Sequence, residues 1–198
     1  MDAVRVALLR EVLTGTEWLG ATRRFAGVLR GSVVGHGGGL LLVGTPEYEP
    51  WHLAAHLVDE AAWSGTPELA PTLVRHHARP SDPAHLAVGP GRIEEARRGE
   101  TLLVVAPEEP AQLLERVHAA RRAGVTVLAL GAGGGELSAM AHDTLAVPEG
   151  AELDLDSVQH LVSAAAGENG GASRGRRGFR DRLSRLAEIL TAPPAAPW

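Results

Sequence analysis

The sequence predicts an α/β fold, a three-layer α-β-α sandwich in which a parallel sheet lies between two layers of helix. Two observations carry this. Short apolar runs such as Leu40-Leu41-Leu42-Val43 and Thr101–Ala106 (TLLVVA) lack polar alternation, as strands buried on both faces do. Between such runs lie stretches with helical spacing of apolar residues, and regular strand–helix alternation implies crossover connections and parallel pairing.

Two helices lead, roughly Ala3–Leu13 and Glu17–Leu29, with Val6, Leu9 and Val12, then Leu19, Phe25 and Val28, at helical spacing. Thr16 stands where it can cap the second. The glycine cluster Gly35-His36-Gly37-Gly38-Gly39 closes this region, and Leu40–Val43 is the first strand. A loop, Gly44-Thr45-Pro46-Glu47-Tyr48-Glu49-Pro50, leads into a helix from Trp51 to Trp63. Pro71–Val74 reads as a short strand, and the Pro- and His-rich stretch from there to Gly91 has little pattern. Thr101–Ala106 is the next strand, followed by loop Pro107-Glu108-Glu109 and a helix from Pro110 to Ala123. A first-turn proline with carboxylates beside it suits a helix N-terminus. Gly124 closes that helix, Val125–Leu130 is a strand, and Gly131-Ala132-Gly133-Gly134-Gly135 opens a short helix ending near Ala141. Strand Thr144–Val147 and helix Leu155–Ala166 complete a body expected to span residues 1–168. A Gly/Ser/Arg linker is expected over 169–178. Residues 179–198 read as a basic amphipathic helix, with Phe179, Leu183, Leu186 and Leu190 on one face, then a Pro-rich end.

Composition removes several chemistries. The chain of 198 residues has no cysteine, so disulfides, thiolate metal sites and cysteine nucleophiles are excluded. All 19 basic residues are arginine, which excludes Schiff-base and P-loop lysines. No apolar run approaches the roughly 20 residues of a membrane span, and the charged first run, MDAVRVALLREVL, argues against a signal peptide. A cytoplasmic location is expected. Charge is uneven: residues 1–168 hold 13 Arg against 22 Asp plus Glu, a net of −9, whereas 169–198 hold 6 Arg against Asp181 and Glu188, a net of +4.

The segment Thr101–Pro148, TLLVVAPEEPAQLLERVHAARRAGVTVLALGAGGGELSAMAHDTLAVP, resembles the second half of a sugar isomerase (SIS) domain of the phosphoheptose-isomerase type. Gly39–Leu57, GLLLVGTPEYEPWHLAAHL, is similar to that family's first strand, glycine-rich loop and "HLAAEL" helix. The resemblance covers about residues 1–168. It implies a five-stranded parallel sheet preceded by N-terminal helices, a homodimer or tetramer, and carbohydrate-derivative sites at subunit interfaces beyond the strands' carboxyl ends. The chain departs from the family where phosphate would bind. Family loops rich in Ser, Thr and Gly, which hold an anion with hydroxyls and helix N-terminal amides, are replaced by Pro107-Glu108-Glu109-Pro110 and by Thr45-Pro46-Glu47-Tyr48-Glu49-Pro50. Pro107 and Pro110 lack N–H groups, and carboxylates repel phosphate.

Thr45, Glu47, Glu49, Glu108 and Glu109 are therefore the candidate ligand-binding residues of the cleft loops; catalytic residues are not assigned. Acting together the glutamates suit a cation, an amine or a partner's arginines, and acting separately they are favourable helix-terminal charges. His52 and His56, four apart in HLAAH, are the candidate metal ligands. The resemblance implies zinc there, His56 standing where the family has a glutamate, with His160 a candidate third ligand. The other reading is two partly exposed histidines near a subunit interface. The glycine turn 131–135 does not fit the G-x-G-x-x-G fingerprint, since Glu136 follows Gly133 by three. The basic tail either docks by its Leu/Phe stripe on its own domain or dimer or recruits a protein partner. Its lack of aromatics beyond Phe179, and the acidic body, argue against nucleic acid. The expected function is that of a degenerate SIS-domain protein, a non-catalytic binding or regulatory homodimer; the alternative is a metal-dependent sugar-phosphate isomerase.

Overall fold

A computed structural model describes residues 3–79, 81–148, 150–151 and 153–168, with side chains from residue 7 onward. The expected linker (169–178) and basic tail (179–198) lie outside the described residues.

Five strands form one all-parallel sheet in the order β2-β1-β3-β4-β5: β1 Leu40–Val43, β2 Pro71–Val74, β3 Thr101–Ala106, β4 Thr126–Gly131 and β5 Asp143–Ala146. Leu40 pairs with both Pro71 and Thr101, and Ala106 with Gly131. Helices α1 (Ala3–Val12), α2 (Glu17–His36), α3 (Trp51–Ser64) and α7 (Leu155–Gly167) serve one face, and α4 (Gly91–Glu94), α5 (Ala111–Arg122) and α6 (Glu136–Met140) the other. Alternate strand residues divide between two cores. Leu42, Leu103, Val105, Leu128 and Leu130 meet Phe25, Leu29, Leu53, Leu57 and Val162. Leu41, Val43, Leu102, Val104 and Val127 meet Ile93, Leu113, Val117 and Leu137. That division is why the strands carry no polar alternation.

Local chemistry sets the ends. Helix α2 runs to His36, seven residues beyond the expected Leu29, because Ser32 and Val33 are buried and its glycines do not break it. It stops at Gly37, whose φ of 67° lets its N–H reach Val33 O. Thr16 holds the N-cap position, but its hydroxyl donates to Leu13 O (2.8 Å) rather than capping. Strand β4 begins one residue late because Val125 N–H closes α5 on Ala120 O. Asp154 caps α7, accepting from Ser157 N–H at 2.7 Å. Helix α7 packs against both α2 and α3, and ten of its residues are buried, from Ser157 to Gly167 with only Ala165 part-exposed in that run.

The chain passes from β1 outward to β2, then returns across to β3 on the other side of β1. This reversal opens a crevice between β1 and β3 at their carboxyl ends, where open α/β sheets bind ligands. Among the described residues no helix is long and apolar enough to cross a membrane.

Candidate functional site

Both loops singled out in the sequence leave the strands that border this crevice, Gly44–Pro50 after β1 and Pro107–Pro110 after β3. The first is a tight turn. Thr45 N–H donates to Tyr48 O (2.9 Å), and Tyr48 N–H returns to Thr45 O (3.2 Å) and Oγ1 (3.1 Å). The buried Thr45 hydroxyl thus serves the turn. Gly44 lies so close under it that a Cβ would overlap the Tyr48 carbonyl and the Pro50 ring.

Glu47 stands exposed at the tip, while Glu49 turns toward the end of β2. Its Oε2 accepts from Trp51 Nε1 (3.0 Å) and Arg75 Nε (3.2 Å), and its Oε1 from His77 N–H (3.3 Å). Burial alone would raise the Glu49 carboxyl, but the bonds from His77 and Arg75 outweigh it and hold the group below its ordinary value. Arg75 also reaches Asp82 (2.7 Å) and Leu86 O (2.9 Å), and stacks 4.6 Å from the Trp51 ring centre. His76 and His77 donate ring N–H bonds to Gly44 O and Pro46 O, each 3.0 Å. The residues after β2 therefore clamp the first loop, and Glu49 belongs to that clamp.

In the second loop Glu108 is exposed, and Glu109 leans over Gly135, where any Cβ would overlap its carboxylate. Pro110 is the N-cap of α5 and supplies no side-chain cap. Among the described residues, Glu47, Glu108 and Glu109 form neither an ion pair nor a side-chain hydrogen bond. Glu47 thus lies in the loop after β1, and Glu108 and Glu109 lie in the loop after β3.

The histidines converge. His52 and His56 on α3 and His160 on α7 have ring centres 6.2 Å (52–56), 6.4 Å (52–160) and 4.6 Å (56–160) apart. His52 is exposed, but His56 is only 8% exposed and neither of its ring nitrogens has a hydrogen-bond partner among the described residues. Burial, then the proximity of His160 and His52, pushes the His56 imidazole down to about 4. Among the described residues no group of three ligand-type side chains stands in metal-holding geometry.

A polar cluster that sequence reasoning missed joins the first loop to α7. Tyr48 Oη donates to Asp156 Oδ1 (2.8 Å) and accepts from Gln159 Nε2 (2.6 Å). Burial pushes the Tyr48 phenol up to about 12; the Gln159 bond lowers it, and the Asp156 carboxylate raises it further. The only sequence signal was an acid and an amide three apart in the first turns of the last helix.

No protein-family model matches the chain, and no curated protein matches it in sequence. Solved structures do share its fold. The sugar isomerase domain of an RpiR transcription factor from Sphaerobacter thermophilus aligns at 14% identity and TM-score 0.50, covering 83% of this chain and 86% of that one. A "putative sugar binding protein" from Salmonella typhimurium LT2 aligns at 14% identity and TM-score 0.52, over 98% of this chain and 55% of that one. A "putative phosphosugar isomerase" from Silicibacter pomeroyi DSS-3 aligns at 18% identity and TM-score 0.50, over 96% and 53%. The chain thus spans about half the length of the last two. At these identities the likeness is one of fold, and the fold is that of the sugar isomerase domain.

Proposed function

We propose that, on this sugar-isomerase fold, the chain is a non-catalytic ligand-binding or regulatory domain working as a cytoplasmic homodimer. The loop after β3 carries the reading. At the switch-point crevice, where an anion would need donors, it presents Glu108 and Glu109 between two prolines that have no N–H. Two unit charges of like sign about 4 Å apart repel by about 4 kcal/mol at an effective dielectric near 20. A carbohydrate derivative bearing an amine suits such a mouth better than a sugar phosphate.

Two measurements on the full chain test this. Hexose and heptose phosphates at millimolar concentration are expected to leave the thermal midpoint unchanged, whereas the variant Glu108→Ser/Glu109→Ser gains at least tenfold in affinity for them. Aldose–ketose isomerisation of any phosphosugar by the metal-replete protein would sink the proposal.

The histidine trio favours a second reading, a metal-dependent isomerase acting on a sugar phosphate. Neutral imidazoles suit zinc, and the unpartnered His56 nitrogens are the observation in its favour. As placed, the three rings do not ligate one ion, so binding requires side-chain rotation. Zinc at His52, His56 and His160 would polarise a sugar oxygen, with Glu47, Glu108 or Glu109 the available base. On the leading reading zinc leaves the thermal midpoint unchanged; a zinc-dependent rise that His52→Ala removes would establish the second.

A further inference from the structure

The outer face of α3 is unusual for a helix facing solvent. Trp51, Ala55, Val58 and Ala62 are exposed on it, Trp51 at 40% and Val58 at 49%. A solvent-facing stripe ordinarily carries charge, yet the only carboxylates of α3 stand off this face: Asp59 is part-buried and Glu60 buried. The helix has no arginine.

Where the chain leaves the fold bears on what covers this face. Helix α7 runs alongside α3 in the same direction. Its start meets Tyr48 through Asp156 and Gln159, its middle meets His56 through His160, and its last residue, Gly167, lies against Glu60. Residue 168 therefore departs beside the carboxyl end of α3. The residues that follow hold Phe179, Leu183, Leu186 and Leu190, at intervals of four, three and four. Trp51, Ala55, Val58 and Ala62 have the same intervals.

We propose that Phe179–Leu190 of the same chain docks as a helix antiparallel to α3, over this face. In that register Phe179 covers Ala62, Leu183 meets Val58, Leu186 covers Ala55 and Leu190 meets Trp51. Large side chains oppose small ones at two of the four positions, the complementarity that close helix packing requires. Each stripe spans about 17 Å at 1.5 Å per residue. Residues 168–178 reach at most about 36–40 Å extended, ample for a turn back over a neighbouring helix 8–10 Å away. Charge agrees: the segment 169–198 is +4 against a body of −9, and Arg180, Arg182 and Arg185 lie off the stripe. Because Trp51 is bonded to Glu49 and stacked on Arg75, the docked helix ends beside the clamp on the first loop.

The chain has no cysteine, so introduced thiols are unambiguous. In full-length Val58→Cys/Leu183→Cys, mild oxidation is expected to give an intrachain disulfide in most molecules, seen as a DTT-sensitive species of monomer mass. Failure to form it, a 58–183 link only between chains, or a Val58–Val58 dimer in the single variant would each overturn the proposal, the last by giving the face to a second copy. Hydrogen exchange supplies a thiol-free measurement. Amides 180–190 should exchange at least tenfold slower than unstructured chain, and Val58→Arg, at an exposed position, should remove that protection. Unprotected exchange in the unaltered protein would also overturn it.

Discussion

Between pH 7 and pH 4 the protein is expected to lose about 3 kcal/mol of folding stability through His56 alone, and His56→Leu is expected to remove that loss. In the folded protein the imidazole titrates at about 4, mainly because burial excludes its charged form, with His160 and His52 adding repulsion and Asp59 opposing weakly. In the unfolded chain it titrates near 6.5. Between those values the unfolded state binds the proton and the folded state does not, so stability is intact above about 6.5 and falls steadily toward 4. Some 2.5 pH units at about 1.4 kcal/mol each set a ceiling of about 3.5 kcal/mol, of which about 3 is lost by pH 4, where the folded imidazole is half protonated. Carboxylates act lower: Asp82, held down first by the Arg79 N–H and then by Arg75, and Glu49 withdraw their stabilisation as pH falls from the ordinary carboxylate value toward their lowered ones. Urea melts at pH 7, 6, 5 and 4.5 separate the two windows. At pH 7 His56→Leu should match or exceed the parent, because it replaces a buried ring with two unsatisfied nitrogens. An unchanged slope between pH 6.5 and 4.5 in the variant would refute the assignment.

Gly44→Ala is expected to cost about 2–3 kcal/mol, a large effect for one methyl group. The added carbon would overlap the Tyr48 carbonyl and the Pro50 ring, so the first loop must move. That movement breaks the Thr45–Tyr48 turn, the His76 bond to Gly44 O, and the alignment of Tyr48 with Asp156 and Gln159. Gly20→Ala is the control. Gly20 sits on exposed α2 with nothing near its added carbon, and Ala there should stabilise by about 0.5–1 kcal/mol. Equal effects of the two substitutions would mean the loop does not depend on close approach at Gly44.

The central strands β1, β3 and β4 were legible because they are buried on both faces and so appear as apolar runs, whereas the edge strands β2 and β5 are part-exposed and shorter. Leu40–Val43, Pro71–Val74 and Thr101–Ala106 fall where the runs place them, and β4 and β5 are each displaced by one residue. Helix α2 extends past the expected Leu29 because the burial of Ser32 and Val33, a tertiary fact, carries it through Gly31 and Gly35. The short α4 was missed, its four residues being too few for a period. At the site, the two rewritten loops were identifiable by composition, but strand order, which makes them border one crevice, is not written in local pattern. Nor was the fate of Glu49: its partner Arg75 lies 26 positions away in a segment with no periodicity. The near approach of His160 to His56 likewise depends on α7 lying beside α3.

The burial of α7 on nearly every side has a consequence for biogenesis. Helices α2 and α3 present apolar surfaces to a helix that the ribosome makes last among the described elements. From Ser64 to Leu155 there are 91 further residues to add, about 5–20 s at ordinary elongation rates. For that interval the trough between α2 and α3 is open and the nascent chain is vulnerable to association with its neighbours on a polysome. The layer closes only when α7 arrives, so this half of the molecule completes its fold after the other described helices have been made.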